Sequence, residues 1–170
     1  MTPLVVLVGP PGAGKTTVGE RLAERHGVAF RDTDRDVEAT VGKAISDIFV
    51  EDGEAMFRAH ERAAVAIALK EHDGVLALGG GAVIAEQTRT ALGGHHVVFL
   101  DVGLAAAVDR VGLNTARPLL AVNPRAELKR LLEARRALYE EVATAVVNTD
   151  ERTPDEVADA IDDTLVTHGR

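Results

Sequence analysis

The feature that most constrains this chain is Gly9-Pro10-Pro11-Gly12-Ala13-Gly14-Lys15-Thr16, an unbroken match to GxxxxGK[ST]. It follows the apolar run Leu4 to Val8 and opens the amphipathic stretch Lys15 to His26, so it joins a strand to a helix. Glycines there let backbone amides turn inward around phosphate oxygens, and the helix N-terminus adds its dipole. Lys15 reaches the outer phosphates, Thr16 offers a hydroxyl to magnesium, and the backbone of Gly12, Ala13, Gly14 and Thr17 completes the cradle. The expected ligand is a nucleoside triphosphate, with Mg2+. A mere glycine-rich turn would leave the four fixed positions and the flanking strand and helix unexplained. The loop alone does not say whether the triphosphate drives work, acts as a switch or is spent on a small molecule. Guanine switches read their base with Asn-Lys-x-Asp, and the nearest stretch, Asn148-Thr149-Asp150, lacks the lysine.

Short apolar runs alternate with longer amphipathic ones, the pattern of a parallel sheet covered by helices. Strands are expected at Leu4–Val8, Ala29–Asp32, Val75–Leu78, His96–Asp101 and Ala143–Asn148. Helices are expected at Lys15–His26, Asp34–Val41, Ile45–Glu71 with a break near Gly53, Glu86–Leu92, Leu104–Val111, Arg125–Val142 and Asp155–His168. Thr153-Pro154-Asp155-Glu156 reads as a helix start, with a hydroxyl cap, proline first and carboxylates in the first turn. The sum is one three-layer α/β/α domain over residues 1–170 with a central five-stranded parallel sheet. Ligands of such a sheet lie beyond the carboxyl ends of its strands.

Composition narrows the chemistry. With no cysteine there is neither thiolate catalysis nor a disulfide, and the six histidines show no metal-binding spacing. The apolar run at the start is far too short for a signal core or a membrane span, so a cytoplasmic protein is expected, with no membrane partner. A net charge of -8 argues against nucleic acid. Between Arg110 and Arg136, however, seven basic residues face two glutamates, so a local cationic patch sits on an acidic body. That suits a small anionic ligand. No long apolar stripe demands a partner, and a monomer is expected.

Three further groups surround the expected crevice. Asp32-Thr33-Asp34 follows the second strand, where alternation would aim both carboxylates at the phosphate loop, one for magnesium and one for an acceptor hydroxyl. An N-cap role for Thr33 or Asp34 is equally compatible with the spacing. Phe57-Arg58 sits on the first turns of a helix with Glu61 three residues on, which would hold the guanidinium for a carboxylate, unless the pair is a plain surface ion pair. Gly79-Gly80-Gly81 permits close backbone approach to a ligand.

The phosphate loop, Asp32-Thr33-Asp34, Gly53-Glu54-x-x-Phe57-Arg58-x-x-Glu61, Leu78-Gly79-Gly80-Gly81 and Arg117-Pro118-Leu119-Leu120, in that order, resemble the shikimate kinase family from Gly9 to about Pro154. The resemblance implies a P-loop kinase that moves the γ-phosphoryl of Mg-ATP to the 3-hydroxyl of shikimate, in aromatic amino-acid biosynthesis through chorismate. It implies a shikimate-binding region at about 33–61 and a mobile lid at about 112–124, with Gly112 and Asn114 as flexible points. Asp34 would contact the acceptor hydroxyls as base, and Asp32 with Thr16 would hold magnesium. Arg58 and an arginine near 136 would grip the shikimate carboxylate, and the Gly79, Gly80 and Gly81 amides would complete the acceptor site. Ile45, Phe49, Phe57, Pro118 and Leu119 would wall the ring. Arg117 would reach the transferring phosphate as the lid closes and excludes water. Arg110 and Pro154 would sandwich the adenine, with Arg152 beside them.

One segment departs from the family pattern. Glu133-Ala134-Arg135-Arg136-Ala137-Leu138-Tyr139 lacks the proline of Arg-x-Pro-Leu-Tyr. Counting forward from Arg125 selects Arg136, whereas counting back from Tyr139 selects Arg135. The two point about 100° apart on a helix, so only one can reach the crevice, and the forward count makes it Arg136. A phosphate-loop kinase acting on gluconate or a nucleoside monophosphate is the alternative, and a non-catalytic nucleotide-binding module a more distant one. Neither needs the Gly53-to-Glu61 motif together with the triple glycine.

Overall fold

A computed structural model describes residues 2–103 and 124–168 of the 170. Five strands form one sheet in the order β2-β3-β1-β4-β5, and every neighbouring pair is parallel. They are β1 (Val5–Val8), β2 (Phe30–Asp32), β3 (Val75–Ala77), β4 (Val97–Asp101) and β5 (Ala145–Asn148). The helices are α1 (Lys15–His26), α2 (Thr33–Val41), α3 (Ile45–Glu51), α4 (Glu54–Glu71), α5 (Glu86–Ala91), α6 (Pro124–Val142) and α7 (Pro154–His168). The expected helix Leu104–Val111 and the lid, with Arg110, Arg117, Pro118 and Leu119, fall outside the described residues.

Strand alternation builds two cores. Val5, Leu7, Val75, Ala77, Val98 and Leu100 face Leu22 of α1 and Val157 and Ile161 of α7. Val6, Val8, Leu76, Val97 and Phe99 face Val65 and Leu69 of α4 and Tyr139 of α6. All four residues of β1 are therefore buried, which is why the strand reads as an unbroken apolar run. β2 is short and half-buried, and it is defined by its pairing with β3 through Phe30, Arg31 and Asp32. A third, small core of Val37, Ile48 and Phe57 holds α2, α3 and α4 together as a lobe beside the sheet.

The helix ends follow local chemistry. The long apolar stretch from Ile45 breaks at Gly53, whose φ of 88° and ψ of 163° a side chain would oppose. At α7, Glu156 N–H donates to Thr153 Oγ1 at 3.1 Å and Thr153 N–H donates to Glu156 Oε1 at 3.2 Å, a reciprocal capping box with Pro154 between. A 3-10 turn, Ala82–Ile84, leads from the triple glycine to α5 and has no periodic signature in the sequence.

Candidate active site

The strand order reverses around β1, whose carboxyl end carries the phosphate loop between β3 and β4. Gly12 and Gly14 adopt φ of 83° and 89°, which turns the loop tightly into α1. Lys15 Nζ donates to the carbonyls of Gly9 at 2.6 Å and Pro10 at 3.1 Å, so the ammonium lies across the mouth of the loop. A cavity of about 430 Å³ opens here, lined by Pro11, Gly12, Lys15, Thr16, Asp34 and Gly80, with Asp32 and Thr17 at its wall. It adjoins a smaller one of about 270 Å³ between the loop and the start of α7, lined by Thr17, Thr149, Arg152 and Pro154.

Both aspartates reach the larger cavity, but by different routes. Asp32 ends β2 and caps α2, its Oδ1 accepting from Asp34 N–H at 2.9 Å. Its Oδ2 accepts from Thr16 Oγ1 at 3.3 Å. Asp34 is brought inward by the first turn of α2 rather than by strand alternation, and the cap falls to Asp32 rather than to Thr33 or Asp34. Thr33 is buried, and its Oγ1 accepts from Gly79 N–H at 3.2 Å. The hydroxyl of Thr16 beside a carboxylate oxygen of Asp32 is the oxygen-only donor set that suits Mg2+, which keeps most of its shell as water and phosphate.

The glycine triplet is the floor on which the other groups lie. A methyl on Gly79 would overlap Asp34 Oδ1 and come 2.9 Å from Glu61 Oε2. One on Gly81 would collide with the guanidinium of Arg58, and one on Gly80 would touch the Pro11 ring at 3.0 Å. The absence of side chains thus lets α2, α4 and the phosphate loop converge on one point. Arg58 donates from Nη1 to Glu61 Oε1 at 2.9 Å; their side chains are 13% and 4% exposed, so this is no surface pair. Phe49 is half-buried against the ring of Phe57, with centroids 4.7 Å apart, and Arg58 lies over both rings. Phe57 itself is buried in the small core and supports Phe49 from behind, and Ile45 packs at the edge of that core.

The two neighbouring arginines of α6 have opposite surroundings. Arg135 is 6% exposed and lies one turn before Tyr139, whose hydroxyl donates to Gly80 O at 2.5 Å. Arg136 has a side chain 51% exposed and clasps Asp101 through two hydrogen bonds of 2.8 and 2.7 Å. The Asp101 hydrogen bonds, partly opposed by desolvation, raise the pKa of Arg136 above its ordinary value. The forward count that favours Arg136 thus points to an arginine already held by a carboxylate outside the glycine floor, while Arg135 is on the face of the helix that meets it. Helix α6 runs unbroken from Pro124 to Val142 without the family's proline. The sequence reading gives Thr33 only as a possible N-cap and Asp101 only as a strand end, not the contacts they make here. Tyr139, as the end of the Arg-x-x-Leu-Tyr stretch, carried a signal.

A second cavity of about 420 Å³ lies between α5 and the end of α6, lined by Arg89, His95, Glu141 and Thr144. It is near the amino ends of β4 and β5, away from the phosphate loop, and its arginine is engaged by Glu141 at 2.7 Å. The reactive groups gather in the other cavity.

A family model described as shikimate kinase matches residues 11–166. A shikimate kinase of Salinispora arenicola is 67% identical over 158 residues, covering 93% of this chain and 95% of that one. One from Streptomyces coelicolor is 60% identical, covering 93% and 92%. Among solved structures, shikimate kinase from Acinetobacter baumannii in complex with shikimate superposes with a TM-score of 0.93 at 36% identity, covering 99% of this chain and 94% of that chain. That from Aquifex aeolicus gives 0.85 at 30% identity, covering 97% of each.

Proposed function

Since the chain belongs to the shikimate kinase family, enzymes that transfer phosphate from ATP to a hydroxyl of shikimate, we propose that it phosphorylates the 3-hydroxyl of shikimate with the residues of the larger cavity. The observation that carries the reading is that one cavity is lined by phosphate-loop Lys15 and Thr16 and also by Asp34 and Gly80. Donor and acceptor groups therefore share one space.

In this reading Asp34 accepts the proton of the attacking hydroxyl as the new O–P bond forms and the bond from the γ-phosphorus to the bridging oxygen of ADP breaks. Lys15 leaves its loop carbonyls to neutralise charge on the transferring group. Thr16 and Asp32 would hold Mg2+, which would offset phosphate charge. Arg58, fixed by Glu61, receives one side of the shikimate carboxylate. Arg135 is the second grip in place of Arg136, because it is buried on the Tyr139 face whereas Arg136 is engaged by Asp101. The amides of Gly80 and Gly81 serve the acceptor; that of Gly79 is taken by Thr33. Arg152 and Pro154 line the smaller cavity and suit the adenine. Roles for Arg110, Arg117, Pro118 and Leu119 rest on the family resemblance.

We take the enzyme to act as a single-domain monomer in the cytoplasm; among the described residues no helix is long and apolar enough to cross a membrane. The test of the function is ADP release with Mg-ATP and shikimate, gluconate, AMP or no acceptor. Turnover with shikimate alone is expected, and equal turnover with another acceptor would overturn the assignment.

A further inference from the structure

Resting on that reading, the inference concerns how Arg135 comes to face the acceptor. Helix α6 begins at Pro124, and among its described side chains Arg135 is the first that is buried. The turns before it are mostly exposed, with Leu131 and Leu132 only partly packed. Among the described side chains on that side only Leu131 and Leu132 pack, and a rotation of about 100° would exchange Arg135 for Arg136.

Tyr139 packs in the second core one turn later, and beside Arg135 itself a polar contact adds to that hold. Asp101, the last residue of β4, has a side chain 17% exposed and receives both terminal nitrogens of Arg136. A two-pronged pair fixes direction as well as distance, which a single contact would not do. Arg136 also bonds Glu140 at 3.1 Å, and its guanidinium lies 5.7 Å from the centre of the Phe99 ring. Phe99 in turn stacks on Tyr139 at 5.0 Å, and Tyr139 donates to Gly80. A continuous series of contacts thus runs from the end of β4 through Arg136, Phe99 and Tyr139 to the glycine floor.

We infer that Asp101 and Arg136 form a positioning pair that sets the rotation of α6, so that Arg135 is presented to the acceptor carboxylate. Neither residue touches shikimate; their effect passes through Arg135. The pair acts on the acceptor side alone, because the β5 end of the nucleotide slot is held by the backbone carbonyl of Asp101, which accepts from Thr149 N–H at 2.9 Å and from its hydroxyl at 3.1 Å.

The test is steady-state kinetics of Asp101→Asn, Arg136→Ala, Arg136→Lys and the double variant Asp101→Asn/Arg136→Ala. Each single loss is expected to raise the shikimate KM about three- to fivefold, the upper range for a half-exposed but two-pronged pair, with the ATP KM unchanged. The double variant should be no worse than either single one, since both remove the same contact. Arg136→Lys keeps the charge without the fork and should fall between. A merely structural role would lower the active fraction and the melting temperature while leaving both KM values alone. That outcome overturns the inference, as do single effects that multiply in the double variant. Tighter shikimate binding in Asp101→Asn would mean that Arg136, once released, grips the substrate directly, and would also overturn it. If the unaltered protein did not use shikimate at all, it is the functional reading that fails.

Discussion

Gly79→Ala tests the convergence of the site with a single methyl group. The backbone at Gly79 is not in the left-handed region, so alanine adds no conformational strain there. The methyl would, however, overlap Asp34 Oδ1 and lie 3.1 Å from Asp34 Cγ and 2.9 Å from Glu61 Oε2. Asp34 sits in the first turn of α2, with Val37 buried in the small core beneath it, so it has little room to retreat without moving the helix. Restoring an ordinary contact displaces its carboxylate by about one ångström, which for a group that must meet the reacting hydroxyl costs about a hundredfold in kcat/KM for shikimate, or about 2.7 kcal/mol of transition-state stabilisation. Gly81→Ala makes an instructive pair. Its methyl meets the end of the Arg58 side chain, which can swing aside, so that variant should chiefly raise the shikimate KM and spare kcat. The assay is coupled ADP release at saturating Mg-ATP, with ADP affinity measured separately by calorimetry and expected to be unchanged. If Gly79→Ala turned over shikimate with kcat/KM within about threefold of the unaltered protein, Asp34 would not need its present position, and the argument for its role would collapse.

Three other perturbations probe separate parts of the molecule. Asp34→Asn should lower kcat at least about a hundredfold while ADP still binds; normal turnover would remove the base from the mechanism. Arg58→Ala should raise the shikimate KM by at least about tenfold and the ATP KM little, because a mostly covered guanidinium partnered to Glu61 is lost on the acceptor side only; equal changes in both would contradict the carboxylate grip. Lys43 has its pKa raised from the ordinary 10.5, first by its hydrogen bond to Asp52 and then by that to Glu51. A cation whose folded pKa is raised contributes stability that is fully present below the unfolded value and is lost as pH rises through the folded one. The difference in melting temperature between the unaltered protein and Lys43→Met should therefore be constant from pH 7 to about 10 and shrink only above that; a difference that faded near neutrality would refute the link.

The sequence announced the parts of this protein that local chemistry determines. Helix α1 has the expected bounds because the phosphate loop starts it and Gly27 ends it in a left-handed turn. The break between α3 and α4 falls where Gly53 puts it, and α7 begins at its capping box. What was not legible depends on partners distant in the chain. The strand expected at Ala29–Asp32 is present as β2, but its place came from the order of its neighbours, and its pairing with β3 is what defines it. Thr33 is a buried acceptor because Gly79 comes to it, and the 3-10 turn after Gly81 is closed by Ala82 N–H donating to Gly79 O at 3.0 Å and Ile84 N–H to Gly81 O at 3.1 Å. Choosing between Arg135 and Arg136 required the rotation of a helix. Counting residues cannot supply it when a segment departs from its pattern, because the contacts that bear on it, Tyr139 to Gly80 and Arg136 to Asp101, join residues distant in the chain.

Tyr139 has a practical consequence as well. The chain contains no tryptophan and one tyrosine, so under excitation that phenylalanine does not absorb the protein carries a single chromophore. Its hydroxyl is committed to the carbonyl of Gly80, on the glycine floor beneath Asp34 and Arg58. The native emission of the unmodified protein therefore comes from one residue bonded to the glycine floor, with no background from the rest of the fold, and it is the natural probe for whether a ligand reaches that floor.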